Sequence, residues 1–83
     1  GSGMKIGKHC MITGHTYFGG SSILEDFVYV APGSIVRNGI KIGKYAFVGM
    51  GSVVTKNVKS NTTVIGNPAK IIKKNSDQNY ISS

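Results

Sequence analysis

Large apolar residues recur at Ile6, Ile12, Phe18, Leu24, Val30, Val36, Ile42, Val48 and Val54, at an interval of six residues every time. A short fixed period is the mark of a repeat architecture, in which each unit buries its apolar side only against its neighbours. An alternating strand also places apolar residues six apart, so the remaining positions of the hexad must discriminate. Two residues after each anchor stand Lys8-His9, Gly14-His15, Gly20-Ser21, Asp26-Phe27, Pro32-Gly33, Asn38-Gly39, Lys44-Tyr45, Met50-Gly51 and Lys56-Asn57. Gly, Pro, Asn and Asp concentrate in these pairs, as expected where the backbone turns and often needs positive φ. Two residues before each next anchor stand Cys10, Thr16, Ser22, Val28, Ser34, Ile40, Ala46, Ser52 and Val58, mostly small. Positions two apart on a strand share a face, so the small residue and the anchor point inward together. Each hexad is therefore a short strand plus a corner. Three hexads close a triangular coil of 18 residues, and coils stack as parallel strands about 4.8 Å apart. Residues 6–59 make three such coils, and the rhythm is expected to stop after Val58.

Stacking places residue n beneath n+18, so the outward residue before each anchor can be read in columns. One face carries Lys5, Ile23 and Lys41, the second Met11, Tyr29 and Phe47, and the third Tyr17, Ile35 and Val53. Two apolar faces out of three suit a cyclic trimer, which uses two different faces of each subunit and leaves the third in water. Lys8, Asp26 and Lys44 form a further column, expected as an exposed ion-pair series of small energy.

Size points the same way. A chain of 83 residues with one cysteine, Cys10, has no internal disulfide and rarely draws more than about 3–5 kcal/mol from its own core, so partner subunits are expected. Cys10 reads as an inward small residue, too buried for a nucleophile. No apolar run approaches the ~20 residues of a membrane span, and no signal-like segment follows Met4; a cytoplasmic setting is expected. Ten Lys/Arg against three Asp/Glu leave a net charge of +7, which suits a polyanionic ligand or, equally, a lysine-guarded β surface. Nucleic acid is not the expected partner, because the lysines lie on several columns without a stacking-aromatic motif.

The hexads resemble the hexapeptide-repeat, left-handed β-helix family of acyltransferases. The stretch from Val48 to Val58, followed by Val64-Ile65-Gly66-Asn67-Pro68-Ala69-Lys70, is similar to that family's C-terminal end. The stretch from Asp26 to Lys44 resembles bacterial sugar N- and O-acetyltransferases of the sialic-acid and bacillosamine type. The resemblance implies an all-β, left-handed parallel β-helix of about three triangular coils, a homotrimer, and acyl transfer from acetyl-CoA to an amine or hydroxyl of a sugar or nucleotide sugar. Sites in such proteins lie in grooves between subunits. There a histidine acts as base and backbone amides steady the oxyanion.

If the two apolar faces pair, the corner with His15, Gly33 and Gly51 points to the three-fold axis. The groove then runs between the corner with Gly20, Asn38 and Lys56 on one subunit and the corner with His9, Phe27 and Tyr45 on the next. Aligned without gaps, the family's catalytic histidine falls at about Gly20 or Ser21, where this chain has none. His9, and after it His15, are therefore the candidate bases. The resemblance places the cofactor's pantetheine along Asn38, Gly39 and Lys56, near Gly49, Gly51 and Ser52, with Lys56 and Lys70 pairing its phosphates. No metal is expected, since two histidines cannot supply the three imidazoles of a zinc-dependent β-helix enzyme.

Residues 1–3 read as a tag remnant, 4–59 as the β-helix, 60–74 as a C-terminal cap and 75–83 as a polar tail expected to be disordered. The first coil begins without a covering segment, so the chain reads as an excised C-terminal domain or as a minimal variant. A non-catalytic trimeric assembly module is the alternative function.

Overall fold

The computed structural model describes residues 3–74, and among them every regular element is a strand. Nine two-residue strands follow at the expected interval: β1 (Lys5–Ile6), β2 (Met11–Ile12), β3 (Tyr17–Phe18), β4 (Ile23–Leu24), β5 (Tyr29–Val30), β6 (Ile35–Val36), β7 (Lys41–Ile42), β8 (Phe47–Val48) and β9 (Val53–Val54). Two longer strands, β10 (Thr62–Gly66) and β11 (Ala69–Lys74), complete the described chain. The tail expected at 75–83 lies outside the described residues. No helix among the described residues is long and apolar enough to cross a membrane.

Three sheets form the walls of a triangular prism, in chain order the first β1-β4-β7, the second β11-β10-β8-β5-β2 and the third β3-β6-β9. Within the coils every pairing is parallel and joins residues 18 apart, such as Ile6 to Leu24, Val30 to Val48 and Val36 to Val54. Backbone bonds of 2.7–3.0 Å run up each wall, for example from Gly7 N to Leu24 O and from Ile23 N to Ile40 O. At each full corner the second residue has positive φ, whether it is Gly33 at 78° or Tyr45 at 62°.

The anchors fill the prism. Leu24, Val30, Val36, Ile42, Val48 and Val54 are at most 1% exposed. All six belong to one core cluster, and Leu24, Val30 and Val36 are each paired with an anchor in the coil below and in the coil above. The first coil lacks that lower neighbour among the described residues: Ile6 is 51% exposed, and Ile12 and Phe18 are only half-buried. Small hydroxyls share the interior because each finds a carbonyl one corner back. Ser22, Ser34 and Ser52, all fully buried, donate Oγ hydrogens to Gly19 O, Ala31 O and Gly49 O at 2.6–2.8 Å.

The end of the prism departs from the hexad count. The rhythm does not stop at Val58; it slips by two residues and resumes. Val58 bridges Ile42 and Val64 pairs with Val48, both 16 residues apart, so Val58 takes an anchor position rather than the small-residue position expected of it. The corner after Val54 is thereby cut to Thr55, Lys56 and Asn57. Asn57 supplies what the lost backbone would have: its Oδ1 accepts from Lys41 N at 2.9 Å, while Val58 N donates to Lys41 O at 2.9 Å. From Thr63 the chain runs parallel to β8, turns at the cis Asn67–Pro68 bond, and returns as β11 antiparallel to β10 with a bulge opposite Thr63/Val64.

Burial predicts a graded response along the stack. Leu24→Ala is expected to cost about 3 kcal/mol and Ile6→Ala less than about 1 kcal/mol, read from urea unfolding midpoints. At the corners, Gly14→Ala is tolerated, since a Cβ there has open space. Gly19→Ala drives its Cβ into the backbone of Asn38 and is expected to be the more damaging change by several-fold in equilibrium constant.

Candidate functional site

The prism carries three vertical edges, and they differ in chemistry. The edge between the first and second walls bears Lys8-His9, Asp26-Phe27 and Lys44-Tyr45. The next bears Gly14-His15, Pro32-Gly33 and Met50-Gly51. The last bears Gly20-Ser21, Asn38-Gly39 and the shortened Lys56 corner.

On the first edge the left-handed corner position is held by three rings. His9, Phe27 and Tyr45 have φ of 57°, 61° and 62°. Their rings stack in one column, His9 on Phe27 at 5.1 Å and 15°, and Phe27 on Tyr45 at 4.9 Å and 3°. Lys44 Nζ stands 5.8 Å from the centre of the Tyr45 ring. Three left-handed residues with a Cβ cost about 3–6 kcal/mol and two aromatic pairs return about 1–3 kcal/mol, so stacking offsets only part of the backbone cost. The column thus orders rings more than it stabilises the fold. His15 occupies the same corner position one edge on, at φ 61°, but beneath Gly33 and Gly51, which offer no ring.

A cavity of about 390 Å³ opens at the C-terminal end of the prism. Its apolar surface comes from Val54, Val58, Val64, Ala69 and Ile71, and Lys56 and Lys70 both line it. The slip of register builds this cavity: the truncated corner leaves the end of the third wall open, and the β10–β11 hairpin stands beside it. Asn38 and Gly39 are exposed on the same edge one coil below Lys56, and a Cβ on Gly39 would have nothing within 4 Å.

The other residues that the resemblance assigned to the cofactor lie elsewhere. Gly49 is buried, and a Cβ there would meet the Ile65 side chain at 2.7–3.0 Å, so Ile65 fills the space that the glycine leaves. Ser52 is 0% exposed; its Oγ donates to Gly49 O at 2.6 Å and accepts from Gly66 N at 3.3 Å. Gly51 shares the second edge with His15. A single subunit therefore brings Lys56 and Lys70 together and sets Asn38 and Gly39 below them, while His9 remains a full edge away.

Among the described residues both acids, Glu25 and Asp26, are engaged with the first wall and its corner. Glu25 Oε2 meets Lys41 Nζ at 3.3 Å and Glu25 Oε1 accepts from Lys44 N at 3.1 Å. The expected Lys8–Asp26–Lys44 series is replaced by a backbone contact, in which Lys8 N donates to Asp26 Oδ1 at 2.8 Å. Cys10 is only half-buried, less than its inward position implied, because it lies in the thinly covered first coil; its Sγ hydrogen is given to Glu25 O at 3.1 Å. Among the described residues no group of three or more His, Cys, Asp or Glu is placed to hold a metal ion. The sequence placed His9, Phe27 and Tyr45 on one corner but did not reveal that their rings stack, because aromatic residues are not expected at a corner that favours glycine. Ser52→Ala is expected to lower stability by about 1–2 kcal/mol in denaturant titration while leaving the cavity's lysines in place.

Residues 21–56 match the bacterial transferase hexapeptide (six repeats) family. An acyl-[acyl-carrier-protein]–UDP-N-acetylglucosamine O-acyltransferase of Pseudomonas paraeruginosa is 35% identical over 65 residues, which are 78% of this chain and 25% of the relative. The chain thus spans about a quarter of that relative's length. Among solved structures, the Arabidopsis UDP-N-acetylglucosamine acyltransferase superposes with a TM-score of 0.84 at 33% identity, covering 87% of this chain and 25% of that one. A hexapeptide-repeat acetyltransferase of Vibrio cholerae, solved with acetyl coenzyme A, superposes with a TM-score of 0.72 at 21% identity, covering 89% of this chain and 61% of that one. The hexads, the triangular coils and these likenesses agree on the fold: the chain is a left-handed parallel β-helix whose residues 21–56 match the bacterial transferase hexapeptide family.

Proposed function

We propose that the chain works as a homotrimeric acyltransferase domain that moves an acyl group from a coenzyme A thioester, with acetyl-CoA as the simplest donor, to an amine or hydroxyl of a sugar or nucleotide sugar. The observation that carries this reading is the meeting of Lys56 and Lys70 on one apolar-sided cavity at the end of the edge that bears Asn38 and Gly39. Two ammonium groups suit the phosphates of the donor as charge-assisted partners, and the open corner at Gly39 admits a pantetheine arm against the backbone. The names of the relatives support the thioester and the sugar acceptor: one acts from an acyl carrier protein on UDP-N-acetylglucosamine, and another was solved with acetyl coenzyme A.

The outward faces support the trimer. Met11 is 60% exposed, Tyr17 65% and Ile35 43%, on two adjoining walls. Pairing the wall of Met11, Tyr29 and Phe47 with a neighbour's wall of Tyr17, Ile35 and Val53 buries both stripes. It also sets the His9 edge of one subunit opposite the Asn38 and Lys56 edge of the next, which a single chain does not achieve. In that groove a ring nitrogen of His9 takes the proton of the attacking hydroxyl or amine. The new C–O or C–N bond forms at the thioester carbon, the C–S bond breaks, and the imidazolium returns its proton to the departing thiolate.

A non-catalytic trimeric module is the second reading, favoured by the absence of histidine at Gly20 and Ser21. Thermal denaturation with acetyl-CoA separates the two. The enzyme reading expects stabilisation that grows with ligand, about 2.7 kcal/mol at a hundredfold excess over Kd, and a weaker response in Lys56→Ala. No shift at millimolar ligand would leave the module. Sedimentation is expected to give three subunits, and His9→Ala is expected to keep the trimer while losing turnover by about a hundredfold or more.

A further inference from the structure

The two histidines occupy equivalent corner positions with nearly the same backbone, φ 57° at His9 and 61° at His15, yet their surroundings differ. His9 stacks against Phe27, which stacks against Tyr45; His15 lies beneath glycines. Among the described residues no hydrogen bond holds either ring nitrogen of His9, and no carboxylate orients it: Asp26 is turned to Lys8 N, and Glu25 to Lys41 and Lys44. A histidine that acts as base usually takes its orientation from a hydrogen-bonded third group. Here the plane of the ring is set instead by the Phe27 ring stacked on it. The nitrogens lie on the ring's edge, so stacking fixes the plane and leaves both of them open toward solvent or an acceptor.

We infer that Phe27 and Tyr45 are positioning residues that hold the His9 imidazole as the end ring of a stacked column, with its edge presented to the acceptor. The inference rests on the acyl-transfer reading and deepens it by choosing between the two histidines. It also gives a reason for bulky rings at two successive positions of a corner where Gly33 and Gly39 serve on the other edges. The column has a direction. Phe27 touches His9, whereas Tyr45 acts through Phe27, so substitution should weaken in that order.

Imidazole carbon–proton NMR spectra of the trimer test the geometry without any substrate. The His9 ring protons are expected upfield of those of His15, shifted by the ring current of Phe27, and Phe27→Leu is expected to bring them to His15-like positions. In steady-state turnover, Phe27→Leu is expected to lower kcat about tenfold with KM for acetyl-CoA unchanged, as misplacement of a base does, and Phe27→Tyr to restore it. Tyr45→Leu, which leaves the first ring contact in place, is expected to give a smaller loss. Coincident His9 and His15 resonances in the parent protein, or an unchanged kcat in a folded Phe27→Leu trimer, would overturn the inference. A parent protein that keeps the resonance difference but turns over no thioester would refute acyl transfer and leave the ordered imidazole standing.

Discussion

The ladder that joins residue n to residue n+18 is the constraint on which the rest of this structure depends. Each strand is only two residues long, far too short to hold itself, and it exists because identical strands above and below complete its hydrogen bonds. The same ladder stacks anchor on anchor, so a wall made of Ile6, Leu24 and Ile42 inside is necessarily a wall of Lys5, Ile23 and Lys41 outside. Nothing in such a coil can shift by one residue without turning every inward side chain into water. Stability is therefore collective. It grows toward the middle coil, where anchors have neighbours on both sides, and thins in the first, where Ile6 is half exposed.

The cavity arises where the repeat fails, at the two-residue slip after Val54. Shortening that corner costs backbone partners, which Asn57 replaces through Lys41 N and the Val58 bridge, and it opens the end of the third wall toward Lys56. The hairpin of β10 and β11 then brings Lys70 and Ile71 alongside. The two lysines are 14 residues apart in sequence and meet only because the chain first leaves the coil and then returns to it.

The corners carry the second kind of individuality. Their backbone is uniform, with positive φ at the second residue, so the side chain placed there is free to vary in function. One edge uses glycine and serine and stays open; another carries His9, Phe27 and Tyr45 and becomes a column of rings. Regular spacing converts an unfavourable backbone for one aromatic residue into a stacked array for three. A single ring at such a corner would have none of that compensation.

The hexad count was enough to determine the coil, its parallel register, which residues point inward, and where the backbone turns to positive φ, because all of these follow from a period of six closing on itself after 18 residues. It also made Lys56, Lys70, Asn38, Gly39 and the two histidines candidates, through residue type and resemblance. Only the tertiary structure decided that Gly49 and Ser52 serve packing, that Val58 is an anchor, and that Asp26 serves a backbone amide instead of a lysine head. Those outcomes depend on groups brought from elsewhere in the chain: the Ile65 side chain over Gly49, the Gly66 backbone N–H on Ser52 Oγ, and the Asn57 side chain on Lys41 N. A period describes what each coil shares with the next. The contacts that make one corner differ from another arise where coils meet something outside the period, and those become visible only once the chain is folded.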